Sequence, residues 1–358
     1  RFIIQGKEAP RGYLPFGGTV IDADLVRPAG EPGQDHLQEI GVMAGYGRAV
    51  DPEQVEVIHD GSTGRPAQVR VIGKDGPIPI VSMAFPFEPS EATVTIDYVL
   101  EPGASSLRID STFTDRSGGP YTRDVVPGDG MVLGDLITVC AAPEPGCELT
   151  GTPSQPTALI GYAPGLVSYS YFVPGDTVAV LLKMDEFWLV NHTSFKLGPG
   201  VSETQTRYLA VSDGALSDLL PERLRREGVT ELRRIAGVVT LEGGEPAVGA
   251  AVDLRDESGD FVTRTVAGEA GAFAARVPPA RYRLVASLPA RPASAPVDAD
   301  VETVDASALG LVLARPAVVR LDIRDDDGAP LPARIAFLAG TAPDPGASPA
   351  ALFFTTGS

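Results

Sequence analysis

The sequence predicts an all-β chain: a large antiparallel β-sheet domain, one short linker helix, and small β-sandwich modules after it. Three observations carry this: apolar residues alternating with polar ones at period two, Gly and Pro turn signals between the alternating segments, and a single stretch at helical spacing. From the start to about Arg207, Val94, Ile96 and Tyr98 alternate with Thr93, Thr95 and Asp97. Leu107, Ile109 and Phe113 alternate with Arg108, Asp110 and Thr114, and Val167, Tyr169, Tyr171 and Val173 with Ser168 and Ser170. Glu101-Pro-Gly, Ser117-Gly-Gly-Pro and Val173-Pro-Gly-Asp separate them, because Pro presets φ and Gly accepts positive φ. This pattern predicts antiparallel strands with one face of each in water.

Leu216, Leu219, Leu220 and Leu224 share one helical face, polar starters stand at Asp213 or Ser217, and Gly228 is the stop. Pro221 is expected in the first turn. The helix reads as a linker packed on the domain before it or after it. From Arg234 the grammar is a strand, a turn at Glu242-Gly-Gly-Glu-Pro246, a strand through Ala250, Val252 and Leu254, and a hairpin at Glu257-Ser-Gly-Asp260. Strands Phe261–Thr265, Gly271–Val277 and Tyr282–Ala286 follow, as in a small β-sandwich. Gly244 to Leu254 aligns without gaps on Gly328 to Leu338, 84 positions on, so a second module is expected to begin near 316. The expected organisation is 1–212, a linker helix at 213–232, 233–315, and the start of a second module at 316–358. The chain opens at Arg1 without an initiator Met and stops inside this repeat, so a longer natural protein is expected.

Composition bounds the function. With 358 residues, 21% charged and 43% apolar, the chain is long enough for more than one folded domain. The 40 glycines and 33 prolines are spread along it, in keeping with many short strands. A formal charge of −18, with no basic cluster longer than Arg223, Arg225 and Arg226, argues against nucleic acid as a partner. No apolar window of transmembrane length is present. Arg dominates the basic residues, Lys occurs only at 7, 74, 183 and 196, and Asn191 is the single asparagine, a bias of GC-rich bacterial genomes. The sequon Asn191-His192-Thr193 carries no weight in a bacterial protein, whereas a eukaryotic secreted source would make it a glycan site. Cys140 and Cys147 flank a Pro- and Gly-containing loop, and two readings stay open: a loop-closing disulfide or two unrelated buried thiols.

Catalytic, cofactor and metal residues are assigned to none. His36, His59 and His192 are isolated, without His-x-His or His-Glu-x-x-His spacing. His59-Asp60-Gly61 reads as a strand end and turn, and His36 similarly. Asp124, Asp129 and Asp135 lie near glycine turns; a Ca²⁺ site or an acid/base pair is one chemistry they offer, and solvated turn residues are the simpler account. Asp253 to Asp260 and Asp325 to Gly328 have calcium-loop character but lack the closing glutamate, and read as hairpin tips. Phe187, Trp188 and Tyr208 are assigned to the core over a sugar-stacking face.

The module from Gly237 resembles the carboxypeptidase-regulatory-like (transthyretin-like) domains through Gly237, Pro246, Gly249-Ala250, Gly259, Gly271-Ala-Phe273 and Pro279-Ala-Arg-Tyr282. The resemblance implies a non-catalytic support domain of a secreted bacterial protein. Ala280 stands where the family turn has glycine, so a positive φ is not expected there. The first 210 residues, with Gly17-Gly-Thr-Val-Ile-Asp-Ala-Asp24, Ala67-Gln-Val-Arg-Val-Ile-Gly73 and Gly128-Asp-Gly-Met131, are similar to the β-supersandwich of galactose-mutarotase-like proteins. The family's acid/base residues find no counterparts at His36, His59 or His192. The whole order resembles the region upstream of the catalytic domain in PHP-superfamily metallohydrolases related to carbaryl hydrolase, whose His-x-His metal motif is absent from this chain.

The expectation is therefore a non-catalytic scaffold or binding region of an exported, extracytoplasmic bacterial hydrolase. Its expected partners are a carbohydrate or cell-surface polymer and a downstream domain of the same polypeptide. Two alternatives stand beside it: a sugar-active enzyme, mutarotase- or lyase-like, with Asp129 and Asp135 as acid and base, and a surface spacer or adhesion protein.

Overall fold

The alternating segments fold as strands in a computed structural model that describes residues 1–8, 12–84, 89–116, 118–134, 137–142, 156–163, 165–184, 187–316, 322–324 and 327–330. The first strands are β1 (Phe2–Ile4), β2 (Val20–Ala23), β3 (Leu37–Gly45), β4 (Arg48–His59) and β5 (Ala67–Pro77), followed by helix α1 (Pro79–Ala84). Next come β6 (Ala92–Leu100), β7 (Ser106–Asp115), β8 (Arg123–Val125), β9 (Gly128–Leu133), β10 (Thr138–Ala142) and β11 (Ala158–Ala163). The set ends with β12 (Val167–Phe172), β13 (Ala179–Met184), β14 (Phe187–Asn191), β15 (Phe195–Leu197) and β16 (Ser202–Ser212).

Fourteen of these strands form one antiparallel sheet in the order β10-β11-β12-β16-β7-β6-β5-β4-β3-β9-β14-β13, with β1 and β2 joined at β3. The sheet curls so that Met131, Trp188 and Val190 from one end share a core with Tyr169, Tyr171 and Leu209 from the other. This is the large β-supersandwich. The turns follow their chemistry: Gly103 and Gly175 take φ of 73° and 74°, and Ala104 N–H and Asp176 N–H close back on Glu101 and Val173 carbonyls at 3.1 and 3.2 Å.

β6 alternates buried and half-buried residues as predicted, but β9 and β12 are buried along their whole length, with no wet face. The reason is a second cover on each. Leu14 packs with Met43 and the partly buried Leu189 on the outer face beside β9, and helix α2 (Leu216–Arg226) lies over the outer face of β12.

Helix α2 also starts earlier than Pro221 suggested, placing that proline inside the helix. Packing decides it: Leu216 and Leu219 must be helical to enter a cluster with Ala158, Ile160, Phe172, Tyr208 and Phe261. Their burial offsets the hydrogen bond that proline cannot donate to the Ser217 carbonyl. The end matches expectation. Gly228 has φ of 84° and its N–H reaches the Arg225 carbonyl at 3.2 Å, while Val229 N–H reaches Leu224 at 2.8 Å, a Schellman cap.

After the helix come β17 (Arg233–Leu241), β18 (Ala251–Arg255), β19 (Phe261–Val266), β20 (Ala272–Val277), β21 (Arg281–Ser287), β22 (Val297–Asp300) and β23 (Ala306–Leu313). They form two sheets, β20-β17-β23 and β19-β18-β21-β22, with Ile235, Val252, Leu254, Phe273 and Leu284 among the core between them. β17 and β23 run parallel. A Cβ on Gly237 would lie 2.2 Å from the Leu309 carbonyl oxygen and 2.8 Å from the Phe273 ring, so only glycine lets these strands approach. Ala280 is not among the positive-φ residues.

Contacts gather the chain into one unit, Arg1–Arg315, and a second, Pro316–Ser358. The three segments expected at 1–212, 213–232 and 233–315 thus share the first unit, joined by α2. In the second unit, Arg324 bridges to Pro330 around Gly328 with φ of 81°; in the first, Thr240 bridges to Pro246 around Gly244 with φ of 88°. The two bridges stand in the same sequence offset as the internal repeat.

Candidate functional site

Two groups of polar side chains could carry chemistry, and the fold treats them oppositely. The first centres on Asp129, on β9. Arg207 of β16 grips it with Nη2 on Oδ1 at 2.6 Å and Nε on Oδ2 at 2.7 Å. His192, just after β14, brings Nε2 to Oδ2 at 2.9 Å, and the Tyr171 hydroxyl of β12 donates to the same oxygen. Arg207 Nη1 reaches Ser111 Oγ at 2.6 Å and the Ile109 carbonyl at 3.3 Å, both on β7. β9 and β14 thus connect to β12, β16 and β7 through one charged knot across the core.

Asp129 is 0% and Arg207 1% exposed. Burial alone would raise the Asp129 carboxyl, but the Arg207 charge and the His192 bond outweigh it and hold the group below the usual carboxylate range. Burial likewise opposes the Arg207 charge, and Asp129 drives its pKa up instead. Burial, then the Asp129 charge, raises Tyr171 well above a free phenol. Of the readings the sequence offers for Asp129, the solvated turn residue does not fit: it is a strand residue sealed in the core. An acid or base must reach its substrate's proton, and this carboxylate faces only protein. Its fit is to structure.

The second group is open. The loop before β3 carries Asp35 and His36 into a depression of about 400 Å³ whose wall also includes Tyr13, Ile21, Gln38 and Gly134. Asp35 Oδ1 accepts from Ala23 N at 3.1 Å, Leu37 N at 3.0 Å and the Tyr169 hydroxyl at 3.1 Å. The Tyr169 oxygen in turn accepts from His36 N at 2.9 Å. Burial, helped by the Asp22 charge and against the bonds from Ala23 and Leu37, raises the Asp35 carboxyl above its ordinary range. Glu39 of β3 is buried nearby in sequence, accepting from Leu14 N at 2.8 Å and Thr19 Oγ1 at 2.9 Å, and burial raises it too. Those bonds fasten residues 13–19 to β3.

The remaining candidates scatter. Asp124 is exposed and lies 3.8 Å from Lys196, and Asp135 lies outside the described residues. His59 ends β4, and Asp60 accepts from Ser62 N at 2.9 Å in an Asx turn, as read. Trp188 and Tyr208 are core, Tyr208 stacking on Phe172 at 5.5 Å, and Phe187 is half-buried. Asp256 accepts from Asp260 N at 2.9 Å in the β18–β19 hairpin, and Asp253 pairs with Arg264. Asp325 and Asp326 lie outside the described residues, as do Cys147 and the side chain of Cys140, so the cysteine alternatives stay where they were. Among the described residues no group of three or more His, Cys, Asp or Glu could hold a metal ion.

Periodicity and motif spacing do not single out Arg207, Tyr171 or Tyr169 as site residues. One signal was available: Arg207 shares parity with Leu209 and Val211, a charged residue on the inward row of a strand.

Residues 234–314 match the carboxypeptidase regulatory-like domain. That segment holds the Gly237 contact and the Tyr282 hydroxyl, which donates to the Pro278 carbonyl at 2.8 Å and is pushed up to about 12 by burial. No curated protein matches the chain. Among solved structures, the Slr1438 protein of Synechocystis sp. PCC 6803 is similar at 13% identity and a TM-score of 0.34, over 55% of this chain and 89% of that one. An α-galactosidase from Lactobacillus brevis is similar at 9% identity and 0.34, over 68% of this chain and 39% of its own length. A galactose mutarotase related enzyme from Lactobacillus acidophilus is similar at 10% identity and 0.32, over 60% of this chain and 94% of that one. At these scores the function is read from this chain's own residues.

Proposed function

We propose that this chain is a non-catalytic scaffold and binding region of an exported bacterial hydrolase, with a carbohydrate or cell-surface polymer as its partner. The observation that carries the reading is the sealed state of Asp129. The acid/base role open to it in a sugar-active enzyme needs a path for substrate, and Arg207, His192 and Tyr171 occupy its surroundings. The regulatory-like module at 234–314 suits a support role beside it. In this reading the chemistry belongs to a metallohydrolase domain of the PHP class elsewhere in the same polypeptide, and the whole works outside the cytoplasm.

The test is to incubate the purified chain with a panel of polysaccharides and aldoses, following retention, new reducing ends and anomer interconversion together. Retention without turnover is the expected result. Turnover by the wild-type chain supports the sugar-active enzyme, and neither retention nor turnover supports the spacer. The hydrolase half has its own test, the reading frame after Ser358: a frame without a metal-site histidine pair contradicts it.

A further inference from the structure

We propose that the depression at Asp35 is the ligand subsite of this region and that it takes a neutral glycan, whose hydroxyls donate to Asp35 Oδ2 while one sugar face lies on the Tyr13 ring. The proposal rests on the carbohydrate-binding reading above, which did not place the ligand.

The geometry singles out one oxygen. All three donors to Asp35, from Ala23, Leu37 and Tyr169, converge on Oδ1, so the carboxyl is fixed in orientation while Oδ2 carries none of these bonds. His36 N holds the Tyr169 hydroxyl in turn, at 2.9 Å, so the loop, β12 and the carboxyl are locked together before any ligand arrives. A preorganised acceptor of this kind suits a hydroxyl donor. Beside it, the depression adds an imidazole and a carboxamide from His36 and Gln38, groups that both donate and accept. Tyr13, in the same wall, is 64% exposed, which leaves an aromatic surface in water where the C–H face of a sugar ring would cover it.

Charge sets the class. No Lys or Arg belongs to the described wall of the depression, while Arg1 and Arg27 are engaged by Asp22 and Asp24 at 2.9 and 3.0 Å. Asp35 has no cation of its own among the described residues, and the chain carries a formal charge of −18. Against the described wall, a uronate or sulfated polymer would meet a carboxylate with no counter-charge, and a neutral glycan would not.

Affinity electrophoresis of the full chain in gels containing galactan, xylan or polygalacturonate tests this. Retardation is expected in a neutral gel and not in polygalacturonate. Asp35→Asn keeps an oxygen for the Ala23, Leu37 and Tyr169 donors and replaces Oδ2 by an amide, so it is expected to weaken neutral binding by about tenfold or more, as is Tyr13→Ala. Asp298→Asn, on the surface of the regulatory-like module, serves as the unaffected control. If Asp35→Asn fails to fold by circular dichroism, the exposed Tyr13→Ala decides. Neutral binding that survives both substitutions overturns the site and leaves the carbohydrate reading standing. Equal or stronger retardation by polygalacturonate overturns the neutral class. Loss of retardation in every gel removes the site and the carbohydrate reading together.

Discussion

Asp129 and Arg207 are 78 positions apart in sequence and meet in the dry centre of the supersandwich with two hydrogen bonds under 3 Å. Such a pair costs desolvation on both sides, and the cost is tolerable only because Ser111, His192, Tyr171 and two backbone carbonyls complete the bonding. The linkage to pH follows from the direction of the shift. Asp129 is depressed in the folded state, so its contribution is fully present above the unfolded carboxylate value of about 3.9 and is lost as pH falls through the folded one. Acid titration of unfolding should therefore show a loss of stability below about pH 4. Asp35 and Glu39 are raised, so each contributes in the opposite sense, favouring the fold as pH drops through its folded pKa. Tyr171→Phe removes one donor from the knot and should cost about 1–3 kcal/mol in urea unfolding, without change in secondary structure by circular dichroism. None of this was legible from local sequence. The partners come from β7, β9, β12, β16 and the end of β14, and only the inward parity of Arg207 hinted at them.

At the scale of elements, the sequence spoke clearly wherever one face of a strand meets core and the other meets water. The β18–β19 hairpin, β20 and β21 fall where Val252, Leu254, Phe261, Phe273 and Tyr282 place them. β22 and β23 escaped, because Val297 and Val312 are the one β-branched residue each strand holds and neither has an aromatic, too little to announce a strand; pairing with β21 and β17 imposes it. The start of α2 escaped for a related reason: tertiary burial of Leu216 and Leu219 overrides the preference of Pro221 for a first turn. Two substitutions test the helix. Pro221→Ala should restore a donor to the Ser217 carbonyl and stabilise by about 1–3 kcal/mol. Gly228→Ala, at φ of 84°, should destabilise by roughly 1 kcal/mol. Both are read from denaturant midpoints at unchanged m-value.

For the molecule as a whole, α2 works as a joint with two apolar sides. Leu216 and Leu219 pack with Phe172, Tyr208 and Phe261, and Leu220 and Leu224 belong to the core of the regulatory-like module. Polar contacts reinforce it: buried Glu222 accepts from Arg226 Nε at 3.0 Å and from Ser106, and the Arg226 guanidinium lies 4.8 Å from the Tyr208 ring centre. Residues 1–315 should accordingly melt as one cooperative transition in calorimetry, and Phe261→Ser should split it into two. The claim on which the functional reading turns is that the Asp129 centre holds the supersandwich together and performs no chemistry. Equilibrium unfolding of Asp129→Asn, run beside the sugar-turnover assay, tests it most directly. A loss of about 3–5 kcal/mol, with no turnover in either wild type or variant, is the predicted result. A variant of unchanged stability that abolishes a turnover present in the wild type would contradict it.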